Sequence, residues 1–139
     1  GGINEKLIGI TTPIIENMYN ICGKEKIDSL LEEGIISILP IGFMRGLTIK
    51  DSVLILDEFQ NATSSQIYTS LSRLGKGSKI IVTGDMSQCD LHNKKDSGFD
   101  FFKKLEQENV PGVKMIILKE NHRHELVETI AKIYQEYKD

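Results

Sequence analysis

The strongest constraint on the fold lies between residues 52 and 83. Two short runs, Ser52–Leu56 (SVLIL) and Lys79–Thr83 (KIIVT), are apolar at successive positions instead of alternating. A strand built that way is covered on both faces, as in the parallel sheet of an α/β fold. Between the runs, Thr63 and Gln66 make the capping-box pattern Thr-x-x-Gln, and Ile67, Leu71 and Leu74 fall on one helical stripe that Gly75 closes. Strand, helix and strand in this order predict a βαβ unit and a mostly parallel sheet.

The same alternation extends outward. Residues 12–33 read as two helical pieces, the first opened by Pro13 after Thr12, with Gly23 between them and Gly34 at the end. Ile35–Leu39 and Val113–Leu118 are apolar, β-branched runs bounded by Pro40 and Pro111-Gly112, and they predict two further strands. Ser97 or Asp96 caps a helix carrying Phe101, Phe102 and Leu105, which read as core on one stripe. Glu125–Tyr137 has the spacing of a last helix. With 139 residues, no internal repeat and no low-complexity linker, the expectation is one domain over 1–139.

Composition narrows the function classes. The net charge of -3 provides no global basic field, so a nucleic-acid role requires a local patch. The basic pairs Lys94-Lys95 and Lys103-Lys104 are balanced by Asp96, Asp100 and Glu106 and read first as solvated surface. No apolar run approaches the ~20 residues of a membrane span. Cys22 and Cys89 lack paired spacing, which points to reduced thiols and a cytoplasmic protein. Cys89-Asp90-Leu91-His92 has one CxxH spacing but no second ligand pair, so His92 reads as a loop residue.

Chemistry gathers where the strands end, as open α/β sheets require. Three strands run into polar clusters: Asp57-Glu58-Phe59-Gln60, Thr83-Gly84-Asp85-Met86-Ser87-Gln88 and Glu120-Asn121-His122-Arg123. Parallel neighbours would bring all three to one edge. Adjacent carboxylates at a buried strand end suit phosphoryl transfer with a metal ion. Asp57 suits Mg²⁺, a hard cation that takes oxygen ligands. Glu58 suits the orientation or deprotonation of an attacking water. Gln88 suits contact with the γ-phosphate or that water, and Arg123 or Arg45 the charge of the transition state. The bland alternative is an acidic strand end in solvent and a glutamine that caps a turn.

These residues also carry a resemblance. VLILDEFQNAT, LSRLGKGSKIIVTGDMSQCDL and FMRGLT resemble the PhoH family of P-loop ATPases, relatives of superfamily 1 helicases, over roughly Asn4 to Tyr137. Phe59 stands where family members often carry Ala. The resemblance implies a RecA-like three-layer sandwich and hydrolysis of ATP with Mg²⁺, coupled to RNA or single-stranded nucleic acid. It assigns Asp57 and Glu58 to the Walker B motif and Gln88 to phosphate sensing. It makes Arg123 the arginine of the ATP site, with Arg45 a second candidate, and a homo-oligomeric ring would put Arg123 at a subunit boundary.

One departure qualifies this. The phosphate-binding pattern GxxxxGK[ST] is absent, and Gly75-Lys76-Gly77-Ser78-Lys79 precedes a strand instead of following one. The expectation is therefore an incomplete fold, the C-terminal portion of a longer ATPase core, lacking the first strand and its loop and inactive by itself. The rivals are a non-catalytic nucleotide-binding or assembly module and a piece of a superfamily 1 helicase.

Overall fold

The computed structural model describes residues 12–119 and 122–138. The chain divides into two compact units, residues 1–101 and 102–139. In the first unit, α1 (Thr12–Cys22) and α2 (Lys24–Glu32) form a helical pair. Gly23 joins them at φ 87°, a left-handed backbone that glycine adopts without steric cost. Ile15, Ile27 and Leu31 are the buried centre of this pair, and Met18, Tyr19 and Leu30 pack around them.

Ile35–Leu39, expected as a strand, is irregular. Ile36 and Ile38 pack on the helical pair, and the backbone N–H groups of Ile35 and Ile36 both donate to the Leu30 carbonyl. A strand needs a ladder partner, and here local packing and a helix end take up the backbone groups instead.

The sheet consists of β1 (Val53–Leu56) and β2 (Lys79–Val82), paired in parallel with Val53 opposite Lys79 and Leu56 opposite Val82. Between them lies α3 (Ser64–Leu71), so the predicted βαβ unit is present. The capping box forms as read: the Gln66 N–H donates to Thr63 Oγ1 at 3.2 Å, and the Thr63 N–H donates to Gln66 Oε1 at 2.9 Å. The expectation of strands buried on both faces does not hold. Leu54, Leu56, Ile80 and Val82 are half-buried or buried, whereas Val53 and Ile81 on the other face are 61% and 51% exposed.

Met44, Leu56, Phe59 and Ile67 are also buried, and the Phe59 ring lies 6.1 Å from that of Phe99. Phe99 lies on α4 (Gly98–Gln107), within which the boundary of the two units falls. Gly98 is required there, because a Cβ would collide with Ile67 Cγ1.

The second unit holds the rest of α4, a segment of irregular backbone and α5 (Glu125–Lys138). Val113–Leu118, the other expected strand, is irregular, with Ile116, Ile117 and Leu118 exposed. Its β-branched composition favours a strand only where a neighbour supplies hydrogen bonds and side-chain cover. No described helix is long and apolar enough to cross a membrane.

Candidate functional site at the strand ends

β1 and β2 end side by side, and hydrogen bonds join their ends. The Thr83 N–H donates to the Leu56 carbonyl at 2.9 Å, and the Phe59 N–H donates to the Thr83 carbonyl at 3.0 Å. Beyond the last ladder pair, Thr83 Oγ1 donates to Asp57 Oδ1 at 2.6 Å. One oxygen of an exposed carboxylate is thereby oriented by a hydroxyl on the neighbouring strand.

Glu58 follows with φ 54° and ψ 40°, in the left-handed region. For a residue other than Gly, Asn or Asp this conformation is uncommon and costs on the order of 1–2 kcal/mol. Such an outlier persists where the surroundings fix it, and it is a recurrent mark of functional sites. The fixing contacts are visible. Glu58 opens a 3-10 turn over Phe59–Asn61, the Asn61 N–H returns to the Glu58 carbonyl at 3.0 Å, and Gln60 Nε2 donates to Glu58 Oε2.

Gln60 is the residue that joins the two strand ends. It is fully buried. While Nε2 holds Glu58, its Oε1 accepts from the Asp85 N–H at 3.0 Å. Its carbonyl accepts from Ser97 Oγ at 3.0 Å and from Cys89 Sγ at 3.2 Å. Every polar group of a buried amide must find a partner, and these contacts supply both side-chain ends. Gly84 makes the approach possible: a Cβ there would collide with the Phe59 ring and stand 2.6 Å from Gln60 Oε1.

The loop after β2 is equally well tied. Asp85 caps a 3-10 turn over Met86–Gln88, accepting from the Ser87 N–H at 2.9 Å and Ser87 Oγ at 2.7 Å through Oδ1. Gln88 Nε2 donates to Asp85 Oδ2 at 3.0 Å. Asn61 Oδ1 accepts from the Asp90 N–H at 2.8 Å, a second link between the two loops.

Of the residues singled out from sequence, Asp57, Glu58 and Gln88 thus belong to one hydrogen-bonded edge of the first unit. Arg45 lines a separate cleft with Ile41, Gly42, Ser65, Gln66 and Thr69. Arg123 lies in the second unit just before α5 and is exposed; Glu120 and Asn121 fall outside the described residues. The sequence reading placed Gln60 and Gly84 in the strand-end clusters but gave neither a role. Their signal was a glutamine four residues past the end of one apolar strand and a glycine two residues past the end of its neighbour.

The sequence model of the PhoH-like protein family matches residues 1–135. The chain belongs to the PhoH-like family. It is 39% identical over 136 residues to a PhoH-like protein of Bacillus subtilis (strain 168), covering 96% of this chain and 42% of that protein. Against a PhoH-like protein of Synechocystis the identity is 37%, over 97% of this chain and 42% of the relative. Against the protein PhoH of Escherichia coli (strain K12) it is 35%, over 81% and 33%. The chain therefore spans about two fifths of the first two of these PhoH-like relatives. The mixed α/β architecture with a small parallel sheet fits a partial P-loop NTPase-like fold.

Proposed function

We propose that the PhoH-like protein to which this chain belongs hydrolyses ATP, and that this chain supplies the metal- and water-handling edge of that site. The observation that carries the reading is Glu58. A strained backbone presents its carboxylate at the end of a parallel strand, held by a buried glutamine that also holds the neighbouring Gly-Asp-x-x-Gln loop. A merely solvated acidic strand end needs neither the strain nor the buried support.

Mg²⁺ fits the donor set. It binds through one or two carboxylates together with substrate phosphates and water, and Asp57 offers one exposed carboxylate oriented by Thr83. When bound, Mg²⁺ offsets the charge of the β- and γ-phosphates. The protein's own contribution follows from its residues. Glu58 accepts a proton from water as the water oxygen bonds to the γ-phosphorus and the bond to the bridging β–γ oxygen breaks, releasing ADP and phosphate. Gln60 keeps the Glu58 carboxylate aimed. Gln88, anchored by Asp85, offers its amide to the water or the γ-phosphate. Arg123 is the cation the family resemblance assigns to the developing negative charge, and a ring of subunits would deliver it from a neighbour.

The assay is ATP hydrolysis by the complete protein as a function of Mg²⁺. Asp57→Asn should raise the Mg²⁺ concentration for half-maximal rate by about tenfold or more, since loss of a group that merely orients a metal ligand already reaches that size. A Mg²⁺ dependence identical to wild type would remove Asp57 from the site.

A further inference from the structure

The turn after β2 carries a carboxylate that the proposed chemistry leaves without a role of its own. Asp85 is tied at its backbone and at both oxygens of its side chain. Its N–H donates to Gln60 Oε1 at 3.0 Å. Oδ1 accepts from the Ser87 N–H at 2.9 Å and from Ser87 Oγ at 2.7 Å, and Oδ2 accepts from Gln88 Nε2 at 3.0 Å. The Gln88 N–H returns to the Asp85 carbonyl at 3.0 Å, so this glutamine is held by main chain and side chain alike.

The chemistry of the pair fixes which end of the Gln88 amide is available. An ionised carboxylate has no proton to donate and therefore faces the nitrogen of an amide, never its oxygen. Hydrogen bonds to an ionised group are also stronger than those between neutral groups. The amide nitrogen is thus turned back into the loop. Gln88 Oε1, which accepts no hydrogen bond among the described residues, is the end left open. The two ends have different uses in phosphoryl transfer. An N–H binds a phosphate oxygen and strengthens nucleotide binding, whereas a carbonyl oxygen accepts only from a donor such as water.

We propose that Asp85 is a positioning residue. By holding the Gln88 amide nitrogen it presents the Gln88 carbonyl to the attacking water, and it makes Gln88 a water-orienting group instead of a phosphate binder. The inference rests on ATP hydrolysis at this edge. Glu58, Gln60, Asp85 and Gln88 form one hydrogen-bonded chain, so a single network sets both acceptors for that water. Glu58 takes one proton as the water oxygen bonds to phosphorus. Gln88 takes none; it accepts from the other O–H, whose hydrogen stays on the released phosphate. With both hydrogens held, a lone pair of the water oxygen faces phosphorus.

The test compares kcat with equilibrium affinity for a non-hydrolysable ATP analogue and Mg²⁺ in the complete protein. Asp85→Asn keeps an oxygen for Ser87 and puts an NH2 group where Oδ2 stood, so the Gln88 amide must turn its oxygen inward and its N–H outward. The kcat should fall about tenfold or more, with analogue affinity equal to wild type or tighter. Adding Gln88→Glu to Asp85→Asn restores an outward acceptor at unchanged net charge. The kcat should then recover at least about fivefold over Asp85→Asn alone, whereas a phosphate-binding N–H requires a further loss. Because Asp85 acts through Gln88, Asp85→Asn should change kcat less than about twofold in a Gln88→Met background, which a merely structural role would not produce. A wild-type protein that binds ATP without hydrolysing it would remove the hydrolysis reading and this inference with it. Wild-type turnover together with an unchanged kcat in Asp85→Asn, a loss carried wholly by analogue affinity, or a double variant slower than Asp85→Asn would overturn the inference and leave the hydrolysis reading standing.

Discussion

The end of the two-stranded ladder and its outer face are made by the same residues' neighbours, yet they are built differently. At the end, Asp57, Glu58, Gln60, Thr83, Asp85 and Gln88 are joined by side-chain hydrogen bonds, and the residue at the centre, Gln60, is fully buried. On the outer face, Val53, Ile55 and Ile81 present apolar side chains that remain 40–61% exposed. The difference teaches that the geometry of the strand-end site is set locally, by groups within a few residues of the two carboxyl termini. The layering of the sheet is not.

Substitutions can break or sharpen this contrast. The largest loss of stability is expected from Gly84→Ala, whose added methyl must displace the Phe59 ring or Gln60. Overpacking of this kind costs about 1–3 kcal/mol. Urea denaturation of the 139-residue chain reads it, and a midpoint equal to wild type would mean that the loop is looser than its hydrogen bonds imply.

Gln60→Leu comes next. It takes the Gln60 acceptor from the part-buried Asp85 N–H, a cost of about 1 kcal/mol, and it frees the Glu58 carboxylate. In the complete protein its ATP turnover should fall while the apparent affinity for ATP changes little. A loss confined to affinity would assign Gln60 a purely structural role.

The outer face supplies the control. Val53→Thr and Ile81→Thr remove exposed apolar surface, and each should shift the stability of the chain by no more than about 0.5 kcal/mol. A cost well above that in the same urea assay would show that the face is covered.

The smallest effect belongs to the helical pair. There Asp28 accepts from Lys24 Nζ at 2.5 Å and from the Tyr19 hydroxyl at 2.6 Å, and these contacts hold its carboxyl below the usual carboxylate range, that from Lys24 first. A lowered folded-state value contributes stability that is present above the ordinary carboxylate range and is lost as pH falls through the lowered value. The difference between wild type and Asp28→Asn in urea midpoint should therefore shrink toward zero with acidification. Solvent reaches and screens this half-buried group, so the effect is slight. A difference that grows on acidification would reverse the sign of this account.

The sequence made the strand ends legible because their signals are short in range. An apolar run ending in Asp57-Glu58, a second ending in Gly84-Asp85, and a capping box at Thr63 and Gln66 each form from neighbours in the chain. Ile35–Leu39 and Val113–Leu118 were misread for the opposite reason: strand formation depends on a partner, and β-branched composition does not supply one. The left-handed backbone of Glu58 left no trace in residue type, since Glu is a poor choice there. The cleft at Arg45 depends on a turn and a helix that meet only in the folded chain.

The central claim is that Glu58 is the carboxylate that accepts the proton of the attacking water. The most direct test is steady-state ATP turnover by the complete protein carrying Glu58→Gln, with ATP binding measured alongside. The account predicts a fall in turnover of about 100-fold or more with binding retained. Turnover equal to wild type would contradict it.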